Sequence, residues 1–203
     1  MPIRSLFGSD LVARQALTDE QRAADSRTCP KKLAVMPSPF DQDDRVVLVP
    51  AIHTEFAVIH VQKATPNGIV RIEGQTFADV QQALCADTVI VTAEEIVDEE
   101  VLRREPERNP IPFFAVKYVC AVPFGGHPYA VFNYYDYDPR QLKVYHEGAE
   151  DETSFQQYLS RFVYGVKNHA EYLEAVGGTA RLDTLKSNPA FGYRPDLKRR
   201  RLD

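Results

Sequence analysis

The sequence predicts an α/β fold: an open, mainly parallel sheet with flanking helices. Short β-branched apolar runs are typical of buried strands, and they occur near residues 46–49, 56–61, 88–92 and 115–122. Apolar residues at helical spacing indicate helices near residues 77–86, 154–165 and 168–176. Because strands and helices alternate along much of the chain, we expect parallel strands joined by right-handed crossovers.

The first strands are predicted from their composition. Val46–Val49 and Phe56–Val61 are almost wholly apolar, which indicates strands buried on both faces in the sheet interior. Pro66-Asn67-Gly68 then has the residue types of a tight turn, and the extended run Ile69–Glu73 follows it. We therefore expect a hairpin-like reversal at this turn.

The helices are predicted from periodic apolar positions. Phe77, Val80 and Leu84 recur on one face of a helix that leads into the strand at Thr88–Val91. A longer stripe predicts a C-terminal helix capped by Thr153 or Ser154. Its members are Phe155, Tyr158, Leu159, Phe162 and Val163. A further helix is expected from Asn168, with Tyr172, Leu173 and Val176 on one face and Gly177-Gly178 as its stop.

The chain is expected to form one domain over residues 1–203, since 203 residues exceed the typical domain length of roughly 150 only modestly. Ser9 or Asp10 is expected to cap a short helix that runs through about Ala16. Residues 18–44 are polar and interrupted by prolines, which predicts a loop excursion. Residues 183–203 are expected to be a C-terminal tail whose basic run Lys198–Arg201 is solvated.

Composition narrows the function classes. Lys and Arg number 24 against 29 Asp and Glu, a net charge of −5, which argues against a dedicated nucleic-acid or anionic-membrane binder. No apolar run approaches the roughly 20 residues of a membrane-spanning helix. The first residues also lack the features of a secretory signal, so a cytoplasmic location is expected.

The cysteines and histidines do not indicate a metal site. Cys29, Cys85 and Cys120 are widely spaced, which favours free or buried thiols over a disulfide framework or a zinc site. His53 and His60 lie seven residues apart with no cysteine or aspartate at ligand spacing. Nucleophile-elbow, phosphate-loop and dinucleotide-binding motifs are also missing from the sequence, so the residues alone indicate no more than an α/β domain.

Candidate site residues follow the predicted strands, because ligands of open α/β sheets bind beyond the carboxyl ends of the strands. The candidates for substrate binding or a subunit interface are His60, Gln62, Glu73, Glu94, Gly125, Gly126, His127 and Pro128. Gly125-Gly126 permits close backbone approach, and His127 is held extended by Pro128. The competing interpretations are a tight turn with a surface histidine, and, for Glu94-Glu95, an ordinary solvated or helix-starting acidic pair.

Six motifs follow one another along the chain: PIRSLFGSDL, VVLVPAIHTEFAVIHVQKATPNGIVRIEG, DTVIVTAEEIV, IPFFAVKYVCAVPFGGHP, YYDYD and AEYLEAVGG. In content and order they resemble the A-type polypeptide of family I CoA-transferases, of the glutaconate CoA-transferase type. The resemblance extends from Met1 to about Leu182 and is weakest over residues 18–44. The resemblance covers only the C-terminal two-thirds of the family's A-type polypeptide, since its glycine-rich N-terminal segment is missing, and it implies an N-terminally truncated chain.

The resemblance implies a function that needs a partner. Such enzymes move CoA between an acyl-CoA and a carboxylic acid by way of a covalent glutamyl thioester. In the family the glutamate belongs to a B-type subunit, within a motif like SENG that does not occur here, so Glu94 is not expected to be the nucleophile. We therefore expect no catalytic residue on this chain, no cofactor besides CoA as co-substrate, and a hetero-oligomer with a B-type partner.

Two alternatives remain open at this point. Related pairs that resemble these transferases hydrolyse or cleave CoA esters in the ring opening of steroid breakdown. The second alternative is that the chain is a noncatalytic remnant with a binding or interaction role, which the missing glycine-rich segment motivates. A B-type partner that carries the glutamate would favour the enzyme over the remnant. The acid substrate cannot be read from composition, because pocket contacts set specificity.

Overall fold

A computed structural model describes residues 2–3, 7–14, 18–24 and 29–196. By its internal contacts the chain divides into two compact units, Met1–His53 and Thr54–Asp203. No helix among the described residues is long and apolar enough to cross a membrane. The basic run Lys198–Arg201 and the predicted end of the first helix near Ala16 lie outside the described residues.

The first unit contains a small antiparallel sheet and two short helices. Its strands are β1 (Pro2–Ile3), β2 (Ala34–Pro37) and β3 (Arg45–Leu48), with β3 in the middle. Its helices are α1 (Asp10–Ala13) and α2 (Asp19–Ala23). The strand predicted at 46–49 therefore exists, but it belongs to an antiparallel sheet, and only Val47 is fully buried.

Residues 18–44 are less irregular than expected. Thr18 and Gln21 form a capping box at the start of α2, in which each side chain accepts from the other residue's backbone N–H. Strand β2 pairs with β3 through the register Val35 to Val47. The proline-rich composition concealed both elements, since Pro37 only ends β2 and leaves its pairing intact.

The second unit is built on a four-stranded sheet in the order β5, β4, β6, β7. Its strands are β4 (Thr54–Ala64), β5 (Val70–Arg71), β6 (Ala86–Ile96) and β7 (Val116–Ala121). Strands β4, β6 and β7 are parallel, and β5 runs antiparallel to β4 after the predicted turn. Helix α3 (Asp79–Cys85) forms the crossover from β5 to β6. The predicted α/β class with a mostly parallel sheet is confirmed.

One face of this sheet carries the core of the unit. Ala57, Ile59 and Val61 alternate along β4 on this face. The corresponding positions of β6 are Val89, Val91 and Ala93, and Ala83 of α3 packs against them. The other face is not covered along its whole length, since Phe56 is 62% exposed and Val58 66%. The expectation that this strand is buried on both faces is therefore wrong for its first half, because an apolar run alone does not reveal which face is covered.

Between β6 and β7 lie α4 (Glu99–Arg103) and short 3₁₀ turns at Pro106–Arg108 and Phe113–Ala115. The part of the unit after β7 is helical, with α5 (Pro139–Gly148), α6 (Glu152–Leu159), α7 (His169–Ala175) and α8 (Gly178–Asp183). The predicted helix at 154–165 is confirmed in outline, but its second half, Ser160–Tyr164, is a π-helical turn. Asp151, rather than Thr153 or Ser154, caps α6.

The segment after α8 packs into the unit at its start, so it is not a free tail there. Leu185 is fully buried in a small core cluster with Val131, Tyr135 and Leu182. Leu185 also accepts a backbone hydrogen bond from Asp136 through its carbonyl. The predicted stop at Gly177-Gly178 is confirmed, since α7 ends at Ala175 and both glycines have positive φ. A new helix, α8, begins at Gly178.

Candidate active site

Parallel pairing of β4 and β6 creates the candidate site. His60 lies beside Thr92 in the strand register, and Glu94 follows two residues later on the same face of β6. The His60 ring bridges these two side chains, with Nδ1 2.8 Å from Thr92 Oγ1 and Nε2 2.7 Å from Glu94 Oε1. A hydroxyl, an imidazole and a carboxylate are thus aligned near the carboxyl ends of two parallel strands.

Glu94 is the most constrained member of this group. Its side chain is only 3% exposed, and it accepts hydrogen bonds from the Tyr135 hydroxyl at 2.6 Å and the Phe124 backbone N–H at 2.7 Å. Together with His60, these donors engage both carboxylate oxygens. A buried carboxylate is tolerated when it is satisfied in this way. Glu94 therefore positions its neighbours, and its oxygens are not free to attack a bound ligand.

The loop after β7 packs directly on this group. Phe124 has a φ of +59°, a conformation that non-glycine residues rarely adopt, and its ring stacks on Tyr135 at 4.6 Å. A Cβ atom on Gly125 would lie 2.9 Å from His60 Nδ1, and one on Gly126 would lie 2.6 Å from a methyl carbon of Val131. Both glycines are needed because the loop backbone approaches these side chains so closely.

Gln62 performs a similar positioning task on β4. Its amide nitrogen donates to the carbonyls of Glu73 and Phe132, and its amide oxygen accepts from the Glu73 backbone N–H. The Glu73 carboxylate accepts from Asn133 and lies 3.9 Å from Lys63 Nζ. These bonds fix Glu73 and the loop at Phe132 relative to the sheet.

A cavity of about 660 Å³ opens beside these residues. His60, Gln62, Glu73 and Gly126 line it together, as expected for neighbouring strand ends. Its remaining lining residues are Ile72, Gly74, Gln75, Phe77, Asp79, Tyr129, Ala130, Val131 and Phe132. Three of the aromatic side chains that line it are exposed, namely Phe77, Tyr129 and Phe132. The cavity therefore has both polar and apolar lining residues, as ligand sites commonly do.

The other candidate residues lie elsewhere. Glu94 is hydrogen-bonded to His60 but does not line this cavity. With Glu73 it lines a second cavity of about 510 Å³. Gly125 lies under the His60 ring. His127 and Pro128, which are joined by a cis peptide bond, do not line the 660 Å³ cavity. This differs from the rim position expected for His127.

His127 is a buried residue whose ring is held between Tyr172 and Asp138. Its side chain is fully buried, with Nδ1 2.7 Å from the Tyr172 hydroxyl and Nε2 3.3 Å from Asp138 Oδ2. Asp138 caps α5 and also forms a bidentate ion pair with Arg181 of α8. The histidine thus connects the loop after β7 to the helical part of the unit.

The pKa shifts of three buried or partly buried side chains are consistent with these contacts. Burial, reinforced by the Glu94 carboxylate, raises the pKa of Tyr135 far above its ordinary value, so this residue remains a hydrogen-bond donor. Burial likewise raises the pKa of Tyr172 to about 12. Burial also acts to raise the pKa of Asp138, but hydrogen bonds from His127 and Arg181 outweigh it and hold that pKa well below the usual range. Asp138 is therefore a stable carboxylate at neutral pH.

Sequence reasoning missed Tyr135, Asp138 and Arg181, which are distant in sequence from the partners that they contact. Thr92 is indicated by its position after the predicted strand at Val91, and the alternation of β6 places it on the same face as Glu94, two residues later. The long-range contacts of Tyr135 and Arg181 have no comparable local signal. Among the described residues, no group of three or more His, Cys, Asp and Glu side chains is arranged to hold a metal ion.

Comparison with known proteins agrees with this fold. The sequence profile of the coenzyme A transferases matches residues 38–121. The A-type polypeptide of glutaconate CoA-transferase from Acidaminococcus fermentans is 37% identical over 197 residues, which are 97% of this chain and 61% of that protein. The A-type polypeptide of 3-oxoadipate CoA-transferase from Pseudomonas knackmussii is 33% identical over 129 residues, 64% of this chain and 45% of that protein.

Structural comparison leads to the same family. The crystal structure of glutaconate coenzyme A-transferase from A. fermentans superposes with a TM-score of 0.87 at 37% identity, covering 95% of this chain and 61% of that chain. The chain thus spans less than two thirds of the length of these relatives. It belongs to the coenzyme A transferase family, and its relatives are A-type polypeptides of family I.

Proposed function

We propose that this chain acts as the A-type subunit of a heteromeric CoA-transferase that moves CoA between an acyl-CoA and a carboxylic acid. The observation that carries the proposal is that nearly the whole chain aligns with the A-type polypeptide of a glutaconate CoA-transferase. The 660 Å³ cavity supports it, because it lies where ligands of parallel α/β sheets bind. CoA is a co-substrate in this proposal, and no further cofactor is invoked.

The cavity supplies the substrate-facing wall in this proposal. Its aromatic residues Phe77, Tyr129 and Phe132 provide apolar surface for the acyl part of a substrate. Gln62 fixes Glu73 and the loop at Phe132 through the hydrogen bonds described above.

His60 has both ring nitrogens engaged by Thr92 and Glu94, so its role is to position Glu94. Glu94 in turn holds the loop after β7 through the Phe124 backbone N–H.

The nucleophile is assigned to a B-type partner. A glutamate carboxylate there attacks the thioester carbonyl of the acyl-CoA and expels CoA thiolate, which leaves a mixed anhydride of the glutamate and the donor acid. The thiolate then attacks the glutamyl carbonyl, so that the donor acid leaves and a glutamyl-CoA thioester forms, and an acceptor acid takes CoA by the reverse steps. The exchange of CoA between the two acids therefore needs no oxidant or reductant. Glu94 is unsuited to such a step, since its buried oxygens already accept three hydrogen bonds.

Co-expression tests the proposal. The purified chain alone is expected to show no CoA exchange, and the chain co-expressed with a B-type partner is expected to exchange CoA between an acyl-CoA and members of a panel of carboxylic acids. The B-type partner by itself is the control. A complex that forms but exchanges CoA with no acid would favour a noncatalytic role, and one that only hydrolyses the acyl-CoA would favour the hydrolase alternative.

A further inference from the structure

Another cavity, of about 720 Å³, lies among the C-terminal helices and is distinct from the candidate active site. Four arginines line it, and each comes from a different segment: Arg140 from α5, Arg161 from the π turn, Arg181 from α8 and Arg194 from the segment that follows. Val144, Phe162 and Val176 form an apolar part of the wall. We call this cavity the arginine pocket.

The charge in the arginine pocket is unbalanced. Asp138 is its only described acidic lining residue, and that carboxylate is already engaged by Arg181 and His127. Arg194 forms an ion pair with Asp196. Even with both carboxylates counted, four guanidinium groups exceed two acids in a chain whose net charge is −5.

Two of the arginines are available to a ligand. Among the described residues, no carboxylate lies within ion-pair distance of Arg140 or Arg161. The Arg161 guanidinium lies 4.8 Å from the centre of the Phe162 ring, which leaves its hydrogen-bond donors unused. Both side chains are exposed at the cavity, so an anion could reach them from solvent.

Arginines that come from four different segments suit a phosphate better than a single carboxylate. The paired N–H donors of an arginine guanidinium bind both carboxylates and phosphates, but a carboxylate presents its oxygens in one plane. A phosphate presents oxygens in tetrahedral directions and can meet donors that arrive from several segments. A cavity of about 720 Å³ is also large for a single carboxylate or phosphate group. We propose that the arginine pocket binds a diphosphate group, either free or as part of a nucleotide.

This site is separate from the candidate active site. None of its lining residues lines the 660 Å³ cavity, so ligands could occupy both at once. The inference does not depend on a B-type partner, because all lining residues belong to one unit of this chain.

Titration calorimetry on the full chain tests the inference, with inorganic pyrophosphate and ADP as probes. The double variant Arg140→Gln with Arg161→Gln is expected to bind pyrophosphate at least roughly tenfold more weakly than the unmodified chain, because two charge-assisted contacts are lost. Arg104→Gln is the matched control, since this exposed arginine lies outside the pocket, and it is expected to bind pyrophosphate normally. Thermal unfolding of all three proteins verifies that they remain folded.

The probes separate the possible sources of the ligand. Tighter binding of ADP than of pyrophosphate supports a nucleotide-borne diphosphate, and equal or weaker binding of ADP supports the free anion. The inference is overturned if the double variant binds pyrophosphate as tightly as the unmodified chain, if Arg104→Gln weakens binding equally, or if citrate binds as tightly as pyrophosphate.

Discussion

Replacing Asp138 by Asn is expected to lower the free energy of unfolding by about 3 kcal/mol or more at neutral pH. The carboxylate is only 1% exposed, and it receives the Arg181 guanidinium, the His127 ring and two backbone N–H groups at the start of α5. Asn retains part of the cap but leaves the Arg181 charge without its partner. Urea unfolding of the unmodified chain and the variant measures the difference.

The same replacement has a predicted pH dependence. The pKa of Asp138 lies below its unfolded value of 3.8, so its contribution to stability is complete above about pH 4 and is lost as the pH falls through the folded pKa. The stability gap between the unmodified chain and Asp138→Asn should therefore narrow in acid. Asp183→Asn is the matched control, because it breaks an exposed ion pair with Lys186 and should cost at most about 1 kcal/mol. A gap that equals the control's, or that widens in acid, would contradict this account of Asp138.

The second large effect is expected from Gly126→Ala. The new Cβ atom would lie 2.6 Å from a methyl carbon of Val131 and 3.1 Å from the Tyr135 hydroxyl. The overlap should cost about 1–3 kcal/mol of stability and displace Tyr135, which hydrogen-bonds both Glu94 and the Gly126 backbone. Because small displacements in an active site are costly, CoA exchange by the assembled enzyme should fall roughly 100-fold.

Gly148→Ala provides the comparison for this variant. Gly148 ends α5 and is remote in sequence from the cavity residues, and an added Cβ atom would meet only a side-chain carbon of Tyr158 at 3.2 Å and more distant atoms. Its CoA exchange should match that of the unmodified complex. Normal exchange by Gly126→Ala, measured on the same preparation of the B-type partner, would show that the contact between Gly126 and Tyr135 does not shape the site.

Much of the sheet could be predicted because its signals are local. The runs at Phe56–Val61 and Thr88–Val91 are apolar enough to indicate strands, and the intervening helical spacing indicates that they are parallel. The apolar run at Val46–Val49 has the same composition but pairs in an antiparallel sheet. Composition indicates that a run is extended, whereas its partner depends on contacts with residues far away in the chain.

The candidate site was predictable in part for the same reason. His60 and Gln62 could be proposed because they lie at the end of a predicted strand and Gly126 because it follows one, and the structure brings all three together. His127 also follows a predicted strand, yet its ring is buried and hydrogen-bonded to Tyr172 and Asp138. Whether a polar side chain faces a ligand or a buried partner depends on long-range packing that local sequence does not encode.

Locating the covalent intermediate tests the central claim most directly. The chain co-expressed with a B-type partner is incubated with an acyl-CoA, the glutamyl thioester is reduced with borohydride, and the modified residue is identified by peptide mass mapping. The account predicts a modified glutamate on the B-type partner and no modification of this chain, because Glu94 is buried and fully hydrogen-bonded. Modification of any glutamate of this chain, Glu94 included, would contradict the assignment of roles between the two polypeptides.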